Sequence, residues 1–341
     1  MEHGTGTDGS REKEGAMRRK LLALLAAAAL VAAACGEGEP AGDGAAGGEE
    51  PLDVVLIQGV AGDEFYITMD CGARQAAEEL GVNYSVQGPN EFDPEEQIPI
   101  LDAVVAQQPD AILIAPTDRT ALIGPLQAAQ DAGITVVLVD TIVDDPNIGI
   151  SRIATDNVEG GRVAGETLVE LIGGEGKVFV NTTEPGVSTV EERQQGFEGV
   201  INQEPGIEYI GVEYNQDDPT IAAQVTSAVL AEHPDLAGIF ATNLFSAEGA
   251  ATALRDAGKL GEVKIVGFDA SPGQVDQLEE GLVQALVAQN PREIGAQGVQ
   301  TAVAALRGEN YEEQITTPLT VVTQDNLDDP EVQDTLYLGE C

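Results

Sequence analysis

The sequence predicts an α/β fold of two similar lobes, each an open, doubly wound parallel sheet, set around a central cleft. Three observations predict it. A stretch of chain returns about 125 positions later, Asp93-Pro94 as Asp218-Pro219, Pro109-Asp110 as Pro234-Asp235, and Asp131-Ala132-Gly133 as Asp256-Ala257-Gly258. Ile114 and Thr117 fall on Ile239 and Thr242 at the same offset, and after a small slip the strand ending at Asp140 matches the one ending at Asp269. A unit of this length is far longer than a solenoid repeat, so it reads as a duplicated lobe. The strands of both copies are continuous apolar runs, as strands buried on both faces require. The helices between them end in Ala-Gly, where glycine takes the left-handed stop.

In order, the first lobe reads as strand 54–58, helix 66–80, strand 82–87 and helix 95–107. Strand 111–115 is entered from Pro109-Asp110, and strand 134–139 from the helix that stops at Gly133. The second reads as helix 157–172, strand 177–181, helix 190–202, and then the repeated unit with strands 237–241 and 263–268. Helix 291–306 and a late strand, 319–323, complete the set. In such sheets ligands bind beyond the carboxyl ends of the strands, where Asp118, Asp140, Asn243 and Asp269 stand.

The N-terminus reads as an export signal. Met17-Arg18-Arg19-Lys20 is a basic head, followed by the apolar run 21–31 and then Ala32-Ala33-Ala34-Cys35. That run is shorter than the roughly 20 apolar residues a membrane span needs. Small residues ending on a cysteine resemble a bacterial lipoprotein cleavage box, so Cys35 is the expected lipidation site and residues 1–35 the signal peptide. Met17 is the expected start. Residues 36–51, rich in Gly, Ala and Glu, read as a flexible tether.

Composition limits the partners. A net charge of −43 excludes nucleic acid, whose phosphates would be repelled. Catalytic machinery is missing: the 2 histidines are His3, in the leader, and His233, expected as a helix-end cap. No serine-histidine-aspartate set can be assembled from them, and no Cys/His cluster has zinc spacing. The first strand is followed by Gln58-Gly59-Val60-Ala61-Gly62-Asp63, which lacks the dinucleotide fingerprint, and no Gly-Lys-Ser/Thr phosphate loop occurs. An NAD-dependent oxidoreductase is therefore disfavoured, and no cofactor is expected. Acidic pairs such as Asp217-Asp218 read as solvated surface.

At this point the chain resembles the ribose-binding type of periplasmic binding protein, the sugar-capturing component of bacterial ABC importers, over about residues 52–323. The resemblance is carried by Ala115-Pro116-Thr117-Asp118, by Ala154-Thr155-Asp156-Asn157 with Gly160-Gly161, and by Glu192-Arg193-Gln194-Gln195-Gly196-Phe197. Phe240-Ala241-Thr242-Asn243, Val266-Gly267-Phe268-Asp269, and Gln289-Asn290-Pro291 with Ile294-Gly295 follow in order. The same fold is the sensor core of lactose-repressor-like regulators, but those carry a DNA-binding helix pair where this chain has its signal and acidic tether.

The resemblance implies a multi-crossover hinge joining one lobe from residues 52–154 plus 290–317 to another from 155–289 plus 318–323, followed by a C-terminal tail, 324–341. It implies ligand contacts from Asp63, Phe65, Tyr66 and Asp140 on one side and Arg193, Asn243, Asp269 and Gln289 on the other. Such a set suits a sugar: carboxylates accept from hydroxyl pairs, Arg offers a fork of donors, and Asn and Gln do both. Aromatic rings cover the C–H faces. Plainer readings stand beside these: Phe65 and Tyr66 as a helix-entry staple, Asp140 and Asp269 as turn formers, Arg193 and Gln289 as surface residues. Three carboxylates against one Arg favour a neutral sugar or polyol over an anion. Ala115, Thr141 and Leu244 depart from the ribose pattern, leaving a deoxy sugar, a hexose, a polyol or another small polar solute.

The expected protein is a monomeric, extracytoplasmic receptor, lipid-anchored to the periplasmic or outer face of the cell membrane, that hands its ligand to an ABC permease. The alternative is a receptor of the same fold that reports to a membrane signalling protein. With Cys35 lipidated, Cys71 and Cys341 remain in an oxidising compartment, and a Cys71–Cys341 disulfide pinning the tail is expected, against two free thiols.

Overall fold

The structure is a computed structural model that describes residues 51–341. The signal peptide, Cys35 and nearly all of the tether therefore lie outside the described residues. Two six-stranded sheets share one strand plan. In the first, β1 (Asp53–Ile57), β2 (Asn83–Gln87), β3 (Ala111–Ile114), β4 (Thr135–Val139), β5 (Ser151–Thr155) and β11 (Gln314–Thr317) lie in the order β2-β1-β3-β4-β5-β11. In the second, β6 (Gly176–Thr182), β7 (Ile207–Tyr214), β8 (Leu236–Ala241), β9 (Lys264–Phe268), β10 (Ala285–Ala288) and β12 (Thr320–Val322) lie in the order β7-β6-β8-β9-β10-β12. The orders are equivalent after a shift of five strands. Only the last strand breaks the likeness, β11 running parallel to β5 and β12 antiparallel to β10.

The repeat seen in the sequence becomes two equivalent runs of structure. Asp93 caps α2 (Pro94–Val105) through Glu95 N, as Asp218 caps α6 (Pro219–Glu232) through Thr220 N. Proline at the first helical position fits both starts, because its missing N–H would have no helical partner there. Strand β3, α3 (Ile123–Asp131) and β4 then correspond to β8, α7 (Leu244–Asp256) and β9. The central strands β3 and β4 bury nearly every side chain between helical layers.

Three strands are not legible as apolar runs. β5 alternates (Ser-Arg-Ile-Ala-Thr), β7 is a half-buried edge, and β11 is polar. Each takes its conformation from a neighbour's ladder rather than from its own composition. β10 (Ala-Leu-Val-Ala) is a further apolar, fully buried run that the element order above omits. The tail adds to the core, Leu327, Val332 and Tyr337 being buried around a short helix α10 (Pro330–Gln333).

The chain passes between sheets three times, after β5, after β10 and after β11. Helices α1 (Glu64–Leu80) and α9 (Pro291–Leu306) pack closely on the first sheet, α4 (Asn157–Ile172) and α5 (Ser188–Ile201) on the second. The α4–α5 contact needs glycine: a Cβ on Gly161 would stand 1.8 Å from Arg193 O, and one on Gly196 2.0 Å from Val158 O. This close approach brings α5, and with it Arg193, up to the strand ends.

A polar cavity between the two lobes

The eight residues proposed from the sequence as ligand contacts all line one cavity between the sheets, with about 430 Å³ of empty space. Phe92, Thr141, Thr183, Val187, Thr189, Val190 and Asp217 complete its wall.

From the first lobe, Asp63 caps α1 through Phe65 N at 2.7 Å. The cap sets the two aromatic residues that follow it, whose rings meet edge to face at 5.1 Å. Both are buried, and the Tyr66 hydroxyl donates to Asp140 Oδ2 at 2.9 Å. The plain staple reading thus omits the polar half of Tyr66. Asp140 follows β4 with φ of 62°, and Asp269 follows β9 with φ of 76°. The left-handed turn suits Asp better than most residues and recurs at the same point of both repeats.

From the second lobe, Arg193 is only 3% exposed, which excludes the reading of a solvent-facing helix residue. Its guanidinium stacks 3.8 Å over the Phe268 ring, donates from Nε to Asn157 Oδ1 and from Nη1 to Thr242 O, each at 2.8 Å. Gln289 is buried as well, donating to Asp269 Oδ1 at 2.7 Å and accepting from Thr155 Oγ1 at 2.8 Å, so it links the cavity to the hinge end of β5. Leu244 N donates to Asp269 Oδ2 at 2.9 Å. Asn243 caps α7 and donates to Asp217 Oδ1 at 2.6 Å.

Asp217 corrects the sequence reading. It was taken as solvated surface, but it lies in the cavity wall with φ of 56°, and burial, then the charges of Asp269 and Glu184, push its carboxyl up to about 7. Nothing local distinguishes it from Asp218, which caps α6 at the surface. The neighbouring strand end alone selects one of the pair. Burial raises Asp140 to about 6, and burial with the charges of Asp269 and Asp217 holds Asp63 well above the usual carboxylate range. Asp118 lies outside the cavity wall, accepting from Thr120 N and Ala121 N at the head of its own turn.

The wall also presents unused hydrogen-bonding capacity. Thr141 Oγ1 and Thr183 Oγ1, one from each lobe, are buried and have no hydrogen-bond partner among the described residues. A buried hydroxyl left so costs on the order of 1–3 kcal/mol. At the rim, Arg119 of the first lobe reaches Glu191 of the second at 2.6 Å, while Arg119 N donates to Gly186 O at 3.0 Å and Ile142 N to Ser188 Oγ at 3.0 Å. These contacts hold the lobes together over the cavity.

Residues 54–310 match the periplasmic binding protein domain family. The chain belongs to that family. It is 30% identical over 317 residues to the D-ribose/D-allose-binding protein of Pseudomonas aeruginosa, covering 89% of this chain and 98% of the relative. Among solved structures, a solute-binding protein of an ABC transporter from Agrobacterium vitis, bound to α-D-tagatopyranose, is 43% identical. It has a TM-score of 0.83, over 84% of this chain and 99% of that one. A carbohydrate transporter solute-binding protein from Agrobacterium radiobacter, in complex with D-arabinose, is 29% identical with a TM-score of 0.81, over 85% and 100% of the two chains. These relatives are sugar- or solute-binding proteins, the two of known structure belonging to transporters, and this periplasmic binding protein is likewise not an enzyme.

Proposed function

We propose that this protein is the sugar-binding component of a bacterial ABC importer, which captures a neutral monosaccharide or polyol between its lobes and delivers it to the permease. The observation that carries the reading is the cavity itself. Carboxylates from both lobes, one buried guanidinium, two unpartnered threonine hydroxyls and an aromatic pair face one small volume. A sugar matches each of these: its hydroxyls donate to Asp63, Asp140 and Asp217, accept from Arg193 and Asn243, and exchange with Thr141 and Thr183, while its C–H face lies on Phe65 and Phe92. An anion would meet four carboxylates against one Arg. Closure over such a ligand is a hinge motion stabilised by contacts to both lobes.

Lipid on Cys35 and the tether 36–51 would hold the receptor at the outer face of the membrane, raising its effective concentration near the permease. The names of the relatives, which bind ribose, allose, tagatose or arabinose, support a pentose or hexose. A thermal-shift panel of pentoses, hexoses, polyols, amino acids and organic anions tests this. A neutral sugar or polyol is expected to raise Tm, since it binds the folded chain alone. A shift given only by amino acids or anions would overturn the reading.

A further inference from the structure

The tail 324–341 follows the last strand, and its far end enters the binding site from behind. It leaves β12 in the second lobe, where Gln324 Nε2 donates to Leu278 O and Glu279 O, and Leu327 and Val332 are buried. Tyr337 then comes to lie 4% exposed behind the cavity wall. Its hydroxyl donates to Asp269 Oδ1 at 2.9 Å and accepts from Gln289 N at 3.2 Å, while its own N–H donates to Ala270 O at 3.0 Å. Its ring meets Phe65 at 5.8 Å. Beyond it, Leu338 N donates to Thr68 Oγ1 at 2.7 Å, and Cys341 is bonded to Cys71 on α1 of the first lobe.

We propose that this tail is a working part of the binding site. Tyr337 is a positioning residue that aims Asp269 and Gln289 into the cavity, and the Cys71–Cys341 bond straps the second lobe to the first.

The chemistry is specific. Asp269 accepts three protein hydrogen bonds, from Leu244 N, Gln289 Nε2 and the Tyr337 hydroxyl, so its plane is fixed and its remaining acceptor direction is aimed. Burial, then the charge of Asp269, hold the Tyr337 hydroxyl well above its usual range, which keeps it a donor. Between the Tyr337 anchor on the second lobe and the disulfide on the first, four residues span at most about 14 Å when fully extended. The strap therefore sets an upper limit on how far the lobes part at this edge, and it keeps Tyr337 in place in the open form. A receptor whose competent geometry is held in advance loses less affinity to its unproductive conformations.

The inference rests on the sugar-binding reading of the cavity, and the experiment separates the two. Wild type, Tyr337→Phe, Asp269→Asn, their double variant, and the pair Cys71→Ser/Cys341→Ser are titrated calorimetrically with D-tagatose, D-ribose and D-arabinose. Sugar is raised to the millimolar range so that weak binders register, and folding is checked by circular dichroism. Tyr337→Phe removes one oxygen and keeps the ring, and it is expected to weaken binding about 10-fold or more. In the Asp269→Asn background the same change is expected to cost little, because the hydroxyl acts through Asp269. The serine pair, and wild type treated with reductant, are expected to bind several-fold more weakly. The proposal is overturned if Tyr337→Phe binds as wild type, if its cost adds in full to that of Asp269→Asn, or if the serine pair binds as tightly as wild type. Wild type that binds none of the sugars overturns the sugar-binding reading, and with it any positioning role for Tyr337.

Discussion

Asp217→Asn is expected to make the ligand-free protein more stable at pH 8 while weakening its hold on sugar. Asp217 is half-buried, and partial burial with the charges of Asp269 and Glu184 holds its proton until about 7 in the folded protein, against a usual 3.8. A folded-state value above the unfolded one means stability is fully present below about pH 3.8 and is lost as pH rises to about 7. At about 1.4 kcal/mol per pH unit, the ionised group costs at most about 4 kcal/mol at pH 8. Asparagine carries no charge, still accepts from Asn243 Nδ2, and tolerates the left-handed φ of 56° at this position. With about 2 °C per kcal/mol for a chain of this size, Tm should rise by up to about 8 °C at pH 8 and change little at pH 4. Differential scanning calorimetry over pH 4–8 measures both. A variant less stable than wild type at pH 8, or a gain that does not fade toward acid, would refute a charge-strained Asp217.

The unpartnered hydroxyls give a paired expectation. Thr141→Val and Thr183→Val keep the shape of the wall and remove a buried polar atom, so neither should lower Tm. Each should cost about 1 kcal/mol of sugar binding, roughly 5-fold by calorimetry, and unchanged affinity in both would remove them from the site. The rim pair Arg119–Glu191 is partly exposed and shared with Asp144, so Arg119→Ala should cost no more than about 1 kcal/mol of closure. Salt at 1 M should weaken wild-type binding by a similar few-fold and leave Arg119→Ala nearly unaffected. An equal salt response in both proteins would mean that the pair does not hold the lobes.

Much of this molecule can be read from its sequence, for physical reasons that also mark where the reading stops. Central strands such as β3 and β4 are buried on both faces and must be apolar throughout, and helices α4 and α9 begin and end on local signals. Strands β5 and β11 carry no such signature, because an adjacent ladder supplies their order. The cavity follows the same division. Asp140, Asn243 and Asp269 stand at strand ends where the fold itself puts ligands, and the duplicated segment marks two of them twice. Asp217 and Tyr337 are different. An Asp in an acidic pair looks like any solvated pair, and a tyrosine in a polar tail has no periodicity to betray its burial. Only the packing of remote segments against β8, β9 and α1 gives them their places. The disulfide was accessible by counting cysteines, yet what it holds, a tyrosine seated against Asp269, was not.

The most direct measurement is a crystal structure of the protein with the sugar that gives the largest thermal shift. The account predicts one sugar in the cavity between the lobes. Its hydroxyls should lie within hydrogen-bonding distance of Asp140 and Thr141 on one side and of Arg193, Asp217 and Asn243 on the other, with a C–H face on Phe65. A sugar held by one lobe alone, or seated outside this cavity, would contradict it.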